Sequence, residues 1–460
     1  MTTTTHDVAE PGVPRPAVTP PRPFVFPTAQ RRTFDNGLTA VVYDVPGQYV
    51  LSVRVVVPLS LSREPRDREG VATIMARTLD EGTDQHSSTE FAQLLERRGV
   101  ALGAGVSEAG LSVDIDVAKT HLAYALDLLR QCLTEPAFPA AEVERHVKQR
   151  LAEIEQERSI AAQRGSIELL ATFFDPAERV SRPTAGSRET VRGVTRDDVV
   201  AFHAAQVAPT GATVVLAGDL TDVDAFAELE SALGAWSSPV GFAPPADPTP
   251  ARLADDRARI VVIDRPGSVQ SELSLAAPGP DRRVEGGWAP FPVLGFVVGG
   301  SPNARVDAVL REEKGFTYGI RSGFRPRRSG GLFVTSGSVR GDATVESLQL
   351  LFDILEGARD GFTAEETRAG VDFISMTAAG RYATADAIAD EAAGMAFDGL
   401  TTEFTTTNLH DLATIEAPRL DEAYRRFVNG SWTVVVVGDA AAYADGIRAL
   451  GHGDVTVLPA

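Results

Sequence analysis

The chain holds a single cysteine in 460 residues, Cys132, which excludes an intramolecular disulfide framework. Its setting, HLAYALDLLRQCL, puts the sulfur on an apolar helical stripe, where it reads as a small buried hydrophobe rather than a reactive thiol. No run approaches the roughly 20 apolar residues of a membrane span. The opening MTTTTHDVAE has neither the basic segment nor the apolar core of an export signal, so a cytoplasmic location is expected. Positive charge is in short supply: 44 Lys and Arg against 63 Asp and Glu leave a net charge of -19. That balance opposes binding to nucleic-acid phosphates or to an anionic membrane surface. Histidine is scarce too, with 7 in the chain and no two at i, i+3 or i, i+4, the spacing that lets imidazoles on one helix face share a metal. What is present is ordinary globular composition, 43% hydrophobic and 23% charged, in a chain too long for one core.

The organisation is legible as a duplication. Residues 1–30 are rich in Pro and Thr without periodicity and read as a disordered or draped arm, and the Pro-rich stretch at 237–257 reads as a linker. On either side of that linker the sequence repeats. Tyr43-Asp44-Val45-Pro46-Gly47 returns as Ile263-Asp264-Arg265-Pro266-Gly267, and VVLAGD at 214–219 returns as VVVVGD at 434–439, both at an offset of 220. Between them, Glu96-Arg97-Arg98-Gly99 matches Glu312-Glu313-Lys314-Gly315 at an offset of 216, and Gly110-Leu111 matches Gly331-Leu332 at 221. The expected domains are therefore 31–236 and 258–460.

Within the first repeat, Asn36-Gly37 marks a hairpin, and YVLSVRVVVPL a strand. Capping boxes open helices at Ser87/Glu90 and Thr195/Asp198, a long helix starts at Pro139, and the second repeat carries its own box at Thr363/Glu366. Early strands and late helices predict two α+β domains, each a mostly antiparallel sheet with helices on one face, together making half of a clamshell around a chamber.

At three places the residues resemble a known family. DNGLTAVVYDVPG, then GVATIMARTLDEGT, then GGSPNARVDAVLREEKGFTYG are similar to the insulinase/pitrilysin metallopeptidases, in the branch of the processing peptidases, over residues 31–460. In active members of that family the first helix carries H-x-x-E-H, two zinc ligands and a base. Here the aligned positions are Thr73, Ala76 and Arg77, none of which can serve, and an arginine charge opposes a dication. The third ligand in the family is a Glu on the following long helix, which falls on Glu153. Two readings of Arg77 and Glu153 stand: an ion pair filling the vacated metal site, or two solvated helix charges. No metal is expected in this chain.

The resemblance also implies what survives. In pairs of this branch one subunit supplies zinc and the other an Arg and a Tyr seven residues apart, which LREEKGFTY preserves as Arg311 and Tyr318. A guanidinium and a phenol are good donors to negative charge developing at a partner's zinc; the alternative is a helix-end charge and a strand aromatic. Gly299 and Gly300 resemble a glycine-rich substrate loop, or form a plain turn. Gly103 and Ala104 stand where active members grip an extended peptide with Asn-Ala, so only backbone pairing would remain. The expectation is a non-catalytic subunit that joins a homologue bearing H-x-x-E-H and zinc and helps enclose an unfolded peptide. A scaffold without a role in proteolysis, and a peptidase with an atypical metal site, are the alternatives.

Overall fold

The computed structural model describes residues 19, 24–255 and 258–459. Most of the expected N-terminal arm, and Asp256 and Arg257 of the expected linker, lie outside the described residues. The first sheet is built from β1 (Gln30–Thr33), β2 (Thr39–Asp44), β3 (Val50–Pro58), β4 (Ala101–Ser107), β5 (Gly110–Ala118) and β6 (Thr213–Gly218). The second uses β7 (Arg259–Asp264), β8 (Gln270–Gly279), β9 (Arg321–Arg325), β10 (Gly331–Arg340), β11 (Thr433–Gly438) and β12 (Asp454–Pro459).

Their orders are β1-β2-β6-β3-β5-β4 and β12-β7-β11-β8-β10-β9. The pairings are antiparallel except β2 with β6, and β7 with β11 and β12. The duplication is visible strand by strand: β2 and β7, and β6 and β11, begin and end 220 residues apart. Even the weaker match holds. Gly99 and Gly315 each turn the chain out of a helix and toward an edge strand, with φ of 60° and 64°, a conformation open to glycine.

Local chemistry explains the elements. Leu38 N–H donates to the Asn36 side chain in the β1–β2 hairpin, and the boxes at Ser87/Glu90, Thr195/Asp198 and Thr363/Glu366 all close on their helices. The inner face of each sheet packs on helices of its own half, giving two large apolar cores.

The outer faces bring a second helical layer that strand and helix patterning did not announce. Helix Ala161–Phe173 of the first half lies on β8 and β11, with Leu169 and Phe173 against Val435 and Val437. Helix Ala385–Phe397 of the second half lies in return on β3 and β6, with Ile388 and Ala389 in a cluster with Tyr43 and Val215. The physical signal is the continuous apolar run of strands such as TVVVVG, buried at every residue, since a strand covered on both faces shows no alternation. Arg54, buried in β3, fastens this exchange by donating to Asp390 of the incoming helix at 2.7 Å and to Asp116 at 3.1 Å. Phe24 and Phe26 follow the same seam, packing on Tyr382. The Pro-rich stretch is pinned at its end, where Ala251 N–H donates to Ser329 O and Ala254 N–H to Phe173 O.

Candidate functional site

Thr73, Ala76 and Arg77 lie on the short helix Val71–Arg77, which packs beside the edge strand β4. A buried carboxylate sets the start of this helix. Glu64 accepts from the backbone N–H of Gly70 at 2.9 Å and of Ala72 at 3.1 Å, satisfying donors that a helix N-terminus leaves open. Burial pushes the Glu64 carboxyl up, and Arg179, donating to its other oxygen at 2.8 and 3.1 Å, works against that rise. Sequence reasoning missed this clamp because Glu64 and Arg179 are 115 positions apart.

Glu153 lies on helix Ala140–Ser159, and the structure brings it to Arg77 at 2.9 Å. Both side chains are about one-third exposed, at 30% and 29%. Glu153 also accepts from Gln149 at 3.1 Å and from the buried Arg150 at 3.4 Å. Partial burial acts to raise the Glu153 carboxyl, but the donors from Arg77 and Arg150 outweigh it and hold the group below the usual carboxylate range. The Thr73 hydroxyl is buried nearby without a hydrogen-bond partner among the described residues. A hydroxyl, a methyl and a guanidinium occupy the positions of two imidazoles and a base, and the one carboxylate is taken up by cations. This donor set does not fit zinc.

Arg150 and Glu157 also line a cavity of about 1060 Å³ at the junction of the halves, closed on one side by residues of the Pro-rich stretch around Asp247 and Pro248. Arg311 and Tyr318 are not among its lining residues.

Arg311 lies in a widely wound helical segment, Ala308–Glu313, and its guanidinium is exposed, with only its neighbour Glu312, at 3.5 Å, as an ion-pair partner among the described residues. Tyr318 is not in a strand. It stands on a bend just before β9 and is 96% exposed, so among the described residues its ring has no packing partner that would explain it structurally. The bend is nevertheless held firmly. Thr317 donates to Ser338 O at 2.7 Å, and Arg340 N–H donates to Phe316 O at 2.9 Å. Asp307, fully buried one helical turn before Arg311, accepts from Ile320 N–H at 2.9 Å and from Arg321 at 2.7 Å. Asp307 is a positioning residue that the sequence reading overlooked; an acid inside an otherwise apolar helical stretch was its only signal.

Gly299 is buried against β9, where an added Cβ would meet Ser322 at 2.5 Å, so close packing explains it; Gly300, next to it, is exposed. Gly103 and Ala104 lie in β4, which pairs only with β5 and forms the edge of the first sheet. Gly103 faces open space. Cys132 is buried, and burial pushes its thiol far up, as an inert sulfur requires.

Known proteins resemble this chain in sequence and in fold. The family model described as Insulinase (Peptidase family M16) matches residues 40–185, and that described as Peptidase M16 inactive domain matches residues 193–372. An uncharacterized zinc protease of Mycobacterium tuberculosis is 25% identical over 352 residues, 76% of this chain and 80% of the relative. The non-peptidase homolog YmxG of Helicobacter pylori is 24% identical over 265 residues, 57% of this chain and 60% of the relative. The crystal structure of a peptidase M16 inactive domain from Pseudomonas fluorescens superposes with a TM-score of 0.82 at 22% identity, covering 90% of this chain and 98% of that one. The chain belongs to the insulinase (M16) peptidase family and is a member without the zinc-binding H-x-x-E-H motif.

Proposed function

We propose that this chain is the non-catalytic subunit of a heterodimeric zinc peptidase. It pairs with a homologue carrying H-x-x-E-H, helps enclose an unfolded peptide, and presents Arg311 and Tyr318 to the zinc centre of that partner. The observation that carries the reading is the exposure of Tyr318 at 96%, on a bend that four hydrogen bonds hold in place. A firmly held loop that displays a phenol to solvent is the kind of surface position on which binding residues concentrate. The phenol O–H donates to the oxyanion that forms at the scissile carbonyl, and the Arg311 guanidinium donates to a neighbouring carbonyl or carboxylate of the peptide. Both act from outside the zinc-bearing subunit, which explains how one member of the pair can lose its own metal site.

The test is reconstitution with such a homologue. Tyr318→Phe removes one donor and should lower kcat by about 10²- to 10³-fold, whereas Arg311→Ala should chiefly raise KM, with assembly intact in both. Unchanged kinetics in both variants would favour a scaffold role instead.

A further inference from the structure

Neither Arg311 nor Tyr318 lines the cavity between the halves, so pairing with a zinc-bearing homologue leaves that cavity without a role. The duplication itself builds it. Glu108 in the β4–β5 turn and Ser329 in the β9–β10 turn occupy the same position in the two repeats, at the offset of 221 that also relates Gly110 to Gly331. They meet at the cavity wall, where the Ser329 hydroxyl donates to Glu108 at 3.4 Å. The exchanged helices add apolar groups: Ile167 and Leu170 come from Ala161–Phe173, and Phe397 from the end of Ala385–Phe397. Leu61, just after β3, and Pro245 of the linker continue this lining. A volume of about 1060 Å³ holds a small organic molecule, and junctions between domains are where such sites form.

The charges of the wall almost all cancel. Arg150 pairs with Glu157, Arg179 with Glu64, and Arg182 with Glu69. Arg327 pairs with Glu108, and Arg328 with Asp247 of the linker. Glu178 and Asp398 are met by Arg252 and Arg282. Arg63 is the exception, the one charged side chain of the lining without an ion-pair partner among the described residues. Its guanidinium donates to the neutral Gln206 side chain at 3.0 Å and to Ala243 O at 3.3 and 3.4 Å, which leaves Nε without a partner among the described residues. The cavity therefore combines an apolar surface with a single uncompensated positive charge, carried on a group whose planar fork matches a carboxylate.

We infer that this cavity takes an apolar monocarboxylate, with the carboxylate on Arg63 and the apolar body along Leu61, Ile167, Leu170 and Phe397. A second charge on the ligand would have to break a pair that the wall already makes, and an unpaired charge left at a partly buried site is costly. A fatty acid and the C-terminal end of a short apolar peptide share this chemistry. The inference does not depend on pairing with a zinc-bearing homologue.

The experiment is isothermal titration calorimetry on the intact chain with octanoate, 1-octanol and octyltrimethylammonium, three headgroups on one chain length. Octanoate should bind tightest, octyltrimethylammonium weakest, and the octanoate affinity should fall as salt is raised. Arg63→Ala should weaken octanoate roughly tenfold while leaving 1-octanol unchanged, and Arg63→Lys should recover part of the loss. Ser166 is exposed on the cavity wall, so Ser166→Trp fills the space without disturbing the core and should weaken octanoate and 1-octanol together. N-acetyl-dileucine distinguishes the two sources: tighter binding than octanoate, lost in the same variants, supports the site with peptide ends as its ligand, and weaker binding supports it with fatty acids. Equal affinity for the three headgroups, no binding of octanoate, or octanoate binding indifferent to both Arg63→Ala and Ser166→Trp would overturn the inference.

Discussion

Replacing Arg77 by Ala and Glu153 by Ala, singly and together, asks whether the vacated metal site is held shut by charge. Arg77 reaches the Glu153 carboxylate through Nη1 alone, at 2.9 Å, and the two side chains are each about one-third exposed, so water screens much of the attraction. Glu153 is not abandoned when Arg77 goes, because Arg150 and Gln149 still donate to it. The coupling energy expected from a double-mutant cycle is therefore modest, about 0.5–1 kcal/mol in favour of the pair, rather than the several kcal/mol of a fully buried ion pair. Urea denaturation at neutral pH measures it. Glu153 sits below the usual carboxylate range when folded, so the coupling is present above the unfolded value and shrinks as pH falls through the folded one. A coupling indistinguishable from zero at neutral pH would make the two residues ordinary solvated helix charges.

Other perturbations read the rest of the structure. Arg179→Ala strands the buried Glu64 carboxylate with only backbone donors and should cost about 3–5 kcal/mol in urea denaturation, part of it recovered by adding Glu64→Gln; a loss below about 1 kcal/mol would contradict the clamp. Glu366 receives Arg305 through both oxygens, at 2.7 and 2.9 Å, and this pulls its carboxyl down to about 2 from an ordinary 4.5. Because the folded value is the lower one, that stability is complete above about pH 4.5 and disappears as pH falls through about 2. Glu366→Gln should lose it at neutral pH and flatten the acid limb of an unfolding curve; an unchanged slope would contradict the assignment.

Much of the fold was legible because a duplication writes the same strands twice at a fixed spacing, and the pairs β2/β7 and β6/β11 keep that spacing to the residue. The exchanged helices were not, since what places Ala161–Phe173 on β11 and Ala385–Phe397 on β3 is packing between segments hundreds of residues apart. At the site, the replacement of imidazoles and base by Thr73, Ala76 and Arg77 could be read directly, as could the candidacy of Glu153 as a partner for Arg77. The setting of Tyr318 could not: a tyrosine beside a strand is ordinarily packed on a sheet, and only the bend fastened by Thr317 and the buried Asp307 turns this one to solvent. The stacked rings of Phe296 and Phe373 escaped for a related reason, because each residue alone looks like core and only the fold leaves Phe373 exposed.

This polypeptide is expected to have no working metal centre of its own, and elemental analysis of the isolated chain after equilibration with zinc and removal of excess ion tests this most directly. Zinc far below one ion per chain is the expected result. Stoichiometric zinc that disappears in Glu153→Gln would contradict it.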